Sequence, residues 1–395
     1  MRRADPLLAT LSRHRLVAGL IGLQAAATAM LVVIAMAAVG AQLADADRPS
    51  GLDEARLLQV RVSGQADAAM QRREQQALAA LPGVVAVARV NQVPFGTGSW
   101  SSRIGARPGT AAGAYWAATY FGDRGLAATL GLRLYAGRAF RPDEYATEPS
   151  GGPGFPGAAH VQLSRVLADQ LFPGADALGN TVYLGTQPLR VVGLYEQLQG
   201  ADPRQAASVV IPAWLAGGRN ATYLLRLRGA SPPLDALERA IVRPSERWIG
   251  DVRTIAQMRR DWYRPMRVAT ATIALGLALW LVGTGVGMAS LADLLLQSRL
   301  RQIGLHRALG ASCAQIRAQL RRENLLLAGG GTATGLLVAW LLWRAWPWLA
   351  ASLPAPGAAA YALAGLLVLL TGQCALWPVT RQADAISPAL ASRRG

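Results

Sequence analysis

The feature that most constrains the fold is a set of four long apolar segments, one near the N-terminus and three near the C-terminus. They occupy residues 16–44, 266–291, 324–343 and 358–379. Each has about 20 residues or more, the length that an α-helix needs to cross the hydrocarbon core of a bilayer. A composition of 52% hydrophobic and 16% charged residues is also typical of a mixed membrane protein. The sequence therefore predicts four transmembrane helices in a 1+3 arrangement.

The arginines beside these segments indicate their orientation. Arginines are concentrated in residues 1–15, 292–323 and 380–395, and cytoplasmic flanks of membrane helices carry such an excess of positive charge. We therefore expect these three stretches in the cytoplasm, with residues 45–265 and a short loop at 344–357 on the other side. A cleaved signal peptide is the alternative for the first segment, but its apolar core exceeds the usual length of about 7–15 residues.

The charged and reactive residues exclude several classes of protein. The net charge is +17, but residues 45–265 hold 25 arginines and 19 acidic residues, so no domain concentrates the charge as nucleic-acid binding requires. All 40 basic residues are arginine; without lysine the chain contains no Walker A loop and no Schiff-base site. Two cysteines and three scattered histidines provide neither a disulfide framework nor metal-ligand spacing. We therefore predict no catalytic residue, cofactor or metal in this chain.

Residues 45–265 are expected to form a large extracytoplasmic α+β domain. A strand, a helix and a strand are predicted at 55–62, 65–81 and 84–90, and the same order recurs at 221–228, 233–242 and 250–254. Two such units at the ends of the segment suggest a layer built from both, with residues 92–212 inserted between them.

Two groups within that insertion are candidates for chemistry or recognition. Asp143 and Glu144 form an acidic pair, which we interpret as part of a solvated loop. Five aromatic residues are interpreted mainly as core or subdomain contacts, with an aromatic recognition surface as the alternative; these are Trp100, Tyr115, Trp116, Tyr120 and Phe121.

The cytoplasmic segment between the second and third spans is the better candidate for function. Gly304 and Gly310 permit sharp turns on either side of a short apolar element. Ser312 and Gln315 have the spacing of a capping box, which predicts that a helix starts there and continues into the third span. The short element would then protrude and enter a partner's groove. The alternative is that its arginines only fix the topology.

Residues 300–311, Leu-Arg-Gln-Ile-Gly-Leu-His-Arg-Ala-Leu-Gly-Ala, resemble the motif R-x-R-E-I-G-[LV]-x-R-A-L-G-A of MacB/FtsX-like ABC-transporter permeases. In that family the motif follows the second of four transmembrane helices. Gln302 stands where the family usually has glutamate. Segments between residues 93 and 193 are similar to the MacB periplasmic core, and the tail at 378–390 loosely resembles the end of these permeases.

The resemblance implies the permease subunit of a type VII ABC system in a bacterial inner membrane. It implies a porter-like subdomain from 45–91 and 213–265, and an inserted subdomain at about 92–212. ATP and Mg²⁺ are expected on separate ATPase subunits. A second permease, identical or paralogous, is expected in the membrane lipid beside this one, and a periplasmic adaptor is a further possible partner.

In such a system ATP hydrolysis drives export or release of a substrate outside the membrane, by mechanotransmission through the helices. The alternative is an FtsX-like transmitter that controls an extracytoplasmic partner, such as a cell-wall hydrolase, without transport. In either case the family's coupling helix docks on the ATPase. The positions of this chain that match it are Arg301, Gln302, Ile303, Gly304, Leu305, Arg307, Ala308, Leu309, Gly310 and Ala311.

Overall fold

The structure is a computed structural model that describes residues 15–109, 113–147, 158–202, 205–215, 217–242, 247–298, 312–346 and 355–384. The chain divides into two compact units, each described by itself. The membrane unit comprises residues 1–46 and 266–395, and the outer unit comprises Asp47–Pro265.

Nine helices and twelve strands make up the described part of the chain. In chain order they are α1 (Arg15–Ala46), β1 (Leu57–Ala66), α2 (Ala68–Ala79), β2 (Val84–Val90), β3 (Ser101–Gly105), β4 (Ala114–Gly122), α3 (Leu126–Leu130), β5 (Leu134–Gly137), β6 (Ala146–Thr147), β7 (His160–Ser164), α4 (Arg165–Leu171), β8 (Thr181–Leu184), β9 (Gln187–Tyr195), β10 (Ser208–Trp214), β11 (Gly218–Leu227), α5 (Leu234–Ile241), β12 (Trp248–Thr254), α6 (Ile255–Trp262), α7 (Arg264–Ser298), α8 (Cys313–Ala345) and α9 (Ala358–Asp384). Short 3-10 turns lie at Glu54–Arg56 and Pro142–Glu144.

Four helices, α1, α7, α8 and α9, are long and apolar enough to cross a membrane, as the sequence predicts. Helix α8 packs along both α1 and α9, and α9 also contacts α1. In α7 only 11% of the apolar stretch is buried, the smallest share among the four helices, against 33% in α1. The membrane unit therefore consists of three closely packed helices and a fourth that exposes most of its surface.

Glycines of α8 allow a close contact between two helices of the membrane unit. A Cβ atom added to Gly331 would lie 2.2 Å from the carbonyl oxygen of Gly22, and one added to Gly335 would lie 2.2 Å from that of Ala26. The Gly-x-x-x-Gly spacing of α8 thus allows two helix backbones to touch, as it does in many membrane proteins. The same spacing in α7 has no such role at Gly283, where no atom lies within 4 Å.

The ends of the outer unit form a βαββαβ layer, as the sequence predicts. Strands β12, β1, β11 and β2 are neighbours in that order, and every adjacent pair is antiparallel. Alternate residues of β1, namely Leu58, Val60 and Val62, enter one core with Leu78 of α2 and Leu237 of α5. This period of two buries one face of the strand under the two helices.

The inserted residues form a second structure that the sequence did not predict. Strands β4, β3, β8, β9, β7 and β10 pair in succession, and β10 then pairs with β4 in parallel, so the six strands close into a barrel. The closing register joins Ser208 to Ala118 and Pro212 to Gly122. A single apolar core that includes Ile104, Phe121 and Val209 fills this region.

The bounds of α4 follow from residues close to it in sequence. Ser164 caps α4, because its Oγ accepts a hydrogen bond from the Leu167 N–H. The helix ends at Leu171, before Phe172-Pro-Gly, because proline cannot continue a helix. Gly174 in the turn that follows has a φ of 76°, a conformation that glycine adopts without strain. The helix places Leu167, Ala168 and Leu171 in the barrel core.

Candidate functional site

The predicted coupling residues, Arg301–Ala311, lie outside the described residues, but both flanks of this segment are described. Helix α7 ends at Ser298, and α8 begins after Ser312. The Gln315 N–H donates to Ser312 Oγ at 3.3 Å and the Ser312 N–H donates to Gln315 Oε1 at 2.9 Å, which confirms the predicted capping box.

An apolar cluster connects these two flanks. Ile316 and Leu320, in the first turns of α8, pack with Ala292 and Leu296 of α7 and with Leu376 of α9. The residues on both sides of the coupling segment therefore belong to one packed group of side chains.

The polar side chains inside the spans are used for packing between helices. Thr28 Oγ1 lies 3.1 Å from Thr284 Oγ1, and both side chains are buried. Trp280 Nε1 donates to Thr28 Oγ1 at 3.2 Å, and Gln24 Nε2 donates to the Thr284 carbonyl at 3.2 Å. No Asp, Glu, Lys, Arg or His occurs in residues 16–44, 268–292, 324–343 or 358–379. The spans thus offer neutral hydrogen bonds between α1 and α7 and no row of ionisable groups.

One arginine of the outer unit joins the two places where the chain enters and leaves it. Arg259 of α6 forms an ion pair with Glu54 at 2.6 Å and donates to the Arg48 carbonyl. Its guanidinium also lies over the rings of Phe95, at 5.4 Å, and Tyr263, at 5.9 Å. We call these five residues the Arg259 junction. They link the segment after α1 to the helix before α7.

Phe95 gives the junction an unusual backbone. Its φ is 59°, the one positive value at a non-glycine residue in the described part of the chain. This left-handed conformation is unfavourable for a bulky side chain and persists only where surrounding contacts hold it. Here the buried Phe95 ring meets Tyr263 edge-on, with ring centroids 6.2 Å apart. The segment Val93-Pro-Phe-Gly thus adopts a strained turn that fits against α6.

A cavity of about 710 Å³ lies in the inserted region. Its wall comes from the end of β5, the Pro142–Glu144 turn, the start of β7, the turn before β8, and β9. The ionisable residues that line it are Arg138, Arg141, Asp143, Glu144, His160 and Arg190. Asp143 and Glu144 are the acidic pair identified from the sequence, and the fold places them beside His160 and three arginines.

Glu144 is the anchor of this cavity, and the structure corrects its interpretation as a solvated loop residue. Only 5% of its side chain is exposed, and Arg138 holds both carboxylate oxygens, at 2.5 and 2.9 Å. The Arg141 N–H donates to the same carboxylate at 2.8 Å. Hydrogen bonds from Arg138, then from the Arg141 backbone, lower the pKa of Glu144 from 4.5 to about 2. Asp143, by contrast, is exposed as predicted.

His160 completes the wall without a hydrogen bond at one ring nitrogen. Its Nδ1 is buried, lies 3.6 Å from Glu144 Oε1, and has no hydrogen-bond partner among the described residues. No group of three His, Cys, Asp or Glu side chains that could hold a metal ion occurs in the described ranges.

The five aromatic residues divide into two sets. Tyr120 and Phe121 are buried, as the core interpretation predicts, and the Tyr120 hydroxyl donates to the Gln199 carbonyl. Trp100, Tyr115 and Trp116 are exposed, and Arg103 lies 5.0 Å from the Trp116 ring across the β3–β4 pair. Within β4 the outcome follows position along the strand, because its first three residues are partly or fully exposed and its last six are buried.

The βαββαβ layer contains a buried ion pair. Glu74 of α2 and Arg247, just before β12, are 3% and 1% exposed at the side chain, and their charged atoms are 2.5 Å apart. The Tyr223 hydroxyl donates to the same carboxylate at 2.6 Å. Burial, then the hydrogen bond to Glu74, raises the pKa of Tyr223 above its usual value of 10. These residues connect α2, β11 and the segment that leads into β12.

Comparison with known families assigns both parts of the chain. Residues 25–243, more than half of the chain, match the family model of the MacB-like periplasmic core domain. Residues 274–384 match the FtsX-like permease C-terminal domain. The two matches follow each other in the order that the sequence motifs predict.

Curated relatives are similar over about half of this chain. The macrolide export ATP-binding/permease protein MacB of Nitrobacter winogradskyi is 28% identical over 211 residues, which is 48% of this chain and 30% of that protein. MacB 1/2 of Paracoccus denitrificans is 27% identical over 222 residues, covering 53% of this chain and 31% of that protein. The aligned region is thus less than a third of the length of these relatives.

Two solved structures are similar to the outer part. The extracellular domain of the noncanonic ABC-type transporter YknZ from Gram-positive bacteria has a TM-score of 0.34 and 13% identity, over 49% of this chain and all of that one. The periplasmic region of MacB from Actinobacillus actinomycetemcomitans has a TM-score of 0.34 and 13% identity, over 53% of this chain and 94% of that one. With both family models matched in order, the chain belongs to the MacB/FtsX-like family of ABC-transporter permeases and is a membrane protein with an extracytoplasmic domain.

Proposed function

We propose that this permease transmits ATP-driven motion from the cytoplasm to its extracytoplasmic domain, and that export or release of a substrate occurs outside the membrane. The observation that carries the proposal is the chemistry of the spans. A path for a polar substrate normally places several ionisable groups inside a bundle. Here the ionisable residues are confined to the helix ends, such as Arg267 and Asp293 of α7, and residues 16–44, 268–292, 324–343 and 358–379 contain none. Gln24, Thr28 and Thr284 join α1 to α7 by hydrogen bonds.

The two ends of the transmission path support the same proposal. On the cytoplasmic side, the flanks of the coupling segment share one apolar cluster with α7 and α9. In the outer unit, the Arg259 junction ties the segment after α1 to the helix before α7. A displacement of either connection therefore reaches the same part of the domain.

ATP hydrolysis is placed on an ATPase outside these 395 residues, because they include no lysine with which to form a Walker A loop. ATP and Mg²⁺ would be bound there. A second permease, identical or paralogous, completes the membrane part, and a periplasmic adaptor is compatible with the proposal. Release of a substrate is preferred to pure signalling because the extracytoplasmic match is to a MacB-like core.

The proposal is tested at the coupling segment. Leu305→Glu places a charge in an apolar docking contact, which is costly, and should abolish stimulation of the partner ATPase while the permease still inserts. Leu305→Met is the matched control, because it keeps an apolar side chain of similar volume. ATPase rates of the reconstituted complex, with permease content measured in the membrane, distinguish loss of coupling from loss of protein. Full stimulation by Leu305→Glu would mean that the segment only fixes topology.

The orientation is tested separately by thiol labelling in cells. In a Cys374→Ser background, Cys313 should react only with a membrane-permeant reagent, because we place the start of α8 in the cytoplasm. Ser231→Cys, at an exposed position of the outer unit, should react with an impermeant reagent added to the extracytoplasmic side. Labelling of Cys313 by the impermeant reagent would contradict the proposed orientation in the inner membrane.

A further inference from the structure

The arginine-lined cavity is built so that its charges are held in place by the fold. Arg190 lies on β9, where its backbone N–H donates to the Ala159 carbonyl at 2.7 Å. Arg138 follows β5, and its backbone N–H donates to the Val192 carbonyl at 2.9 Å. The Arg138 carbonyl accepts a hydrogen bond from the Gln162 side-chain amide at 3.0 Å. The positions of these arginines are thus set by hydrogen bonds to β7 and β9.

The two acidic residues of the cavity do not neutralise all of the positive charge of its arginines. Both carboxylate oxygens of Glu144 already accept hydrogen bonds from Arg138, and one also accepts from the Arg141 N–H. Arg141 and Arg190 are exposed at the cavity and form no ion pair with an acidic side chain of the described residues. Asp143 is the remaining acid in the wall. Three arginines against two carboxylates leave the cavity with a net positive charge before any contribution from His160.

We propose that this cavity is a binding site for a small organic anion that bears carboxylate or phosphate groups. Guanidinium groups match the planar oxygen pairs of such groups and bind them through two parallel hydrogen bonds. A volume of about 710 Å³ lies within the range of small-molecule sites, about 300–1,000 Å³. Glu144 and Arg138 form the fixed wall that positions the Arg141 backbone, and Arg141 and Arg190 contact the anion. The site is independent of the coupling to an ATPase.

Binding of two anionic probes and one cationic probe to the full chain, purified in an uncharged detergent, tests this proposal. Citrate and inorganic pyrophosphate are titrated by calorimetry at constant ionic strength, with putrescine, a dication, as the probe of opposite charge. We expect at least one anion to bind and putrescine not to bind. Binding of citrate alone assigns carboxylates, and binding of pyrophosphate alone assigns phosphates. Failure of both anions to bind at millimolar concentration, or equal binding of putrescine, would overturn the proposal.

Substitutions then locate the anion. Arg190→Gln and Arg141→Gln should each weaken binding about tenfold, since a charge-assisted hydrogen bond contributes about that factor. Arg133→Gln is the matched control, because Arg133 is an exposed arginine of the same region outside the cavity and its loss changes the net charge equally. Its effect should be less than about twofold. Equal weakening by all three variants would indicate attraction to the whole basic protein and would refute a site in this cavity.

Since Arg141 and Arg190 are exposed, neither substitution should disturb folding, and melting curves without probe verify this point. Glu144→Gln provides a second, independent measurement, because it releases Arg138 from its partner and adds a free guanidinium to the cavity. If the cavity is the site, this variant should bind the anionic probe more tightly than the wild type. Unchanged affinity in Glu144→Gln together with unchanged affinity in Arg190→Gln would place any bound anion elsewhere.

Discussion

The two units of this protein treat buried polar groups differently. In the outer unit, Glu74 and Arg247 are almost fully buried as an ion pair, and Arg89 is buried among carbonyl oxygens. Between the ends of the spans, the buried polar groups are neutral, and Thr28 and Thr284 hydrogen-bond across two helices. In a bilayer, no water hydrates a charged group when its contact opens. In a domain surrounded by water, both members of an ion pair are hydrated when the pair opens, so such pairs can be buried on folding. The comparison teaches that the surrounding solvent decides which polar groups can stabilise a helix contact.

The largest expected effect comes from breaking the buried ion pair. Arg247→Met leaves the Glu74 carboxylate buried without its partner, which costs about 3–5 kcal/mol of stability. Amide hydrogen exchange of β1 and β11 in the full chain should show this loss as faster local opening. The double variant Glu74→Gln with Arg247→Met removes both charges and is the control, with most of the stability restored. Equal destabilisation in single and double variants would show that shape, not charge, matters here.

A smaller effect is expected where an ion pair borders water. The folded pKa of Glu144, about 2, lies below its ordinary value of 4.5. The pair therefore contributes its full stability above about pH 4.5, and this contribution is lost as the pH falls toward 2. Because 37% of the Arg138 side chain is exposed, solvent screening makes this contribution smaller than that of the buried Glu74–Arg247 pair.

The measurement for Glu144 is the melting temperature of the full chain between pH 7 and pH 3, compared with that of Glu144→Gln. The wild type should melt higher at neutral pH, and the difference should shrink as the solution is acidified. Glu196→Gln is a matched control, since its ion pair with Arg165 is exposed on both sides and should contribute little at any pH. A constant difference for Glu144→Gln over the whole range would contradict the depressed pKa.

The smallest effect is expected inside the membrane unit. Thr28→Val removes the hydroxyl that meets Thr284 and Trp280, and an average hydrogen bond between membrane helices contributes about 0.6 kcal/mol. Unfolding in mixed micelles with increasing fractions of dodecyl sulfate measures this change. Thr334→Val is the control, because the Thr334 hydroxyl donates to Gly330 within its own helix and is exposed. A loss comparable to that of Arg247→Met would remove the distinction between the two units.

Features that depend on neighbouring residues could be predicted from the sequence. The Ser312–Gln315 capping box, the helix end at Phe172-Pro-Gly and the period of two in β1 all arise within a few residues of chain. The barrel could not be predicted, because its closing pair joins Ala118 to Ser208. Arg138 and Glu144 are only six residues apart, but their surroundings in the cavity come from β7 and β9, which are more distant in sequence. The coupling residues remain a prediction from their motif.

The position of the barrel in the outer unit has a consequence for how the domain can change. The chain leaves the βαββαβ layer at the end of β2 and returns at the start of β11, and these strands are antiparallel neighbours with Val90 opposite Thr222. The whole barrel is therefore, in topology, the turn of one β-hairpin. The entropy of closing a loop rises only slowly with its length, so the layer can tolerate turns of very different size. A lineage could shorten, enlarge or exchange this turn, and with it the anion cavity, while the sheet and both of its membrane connections stayed the same.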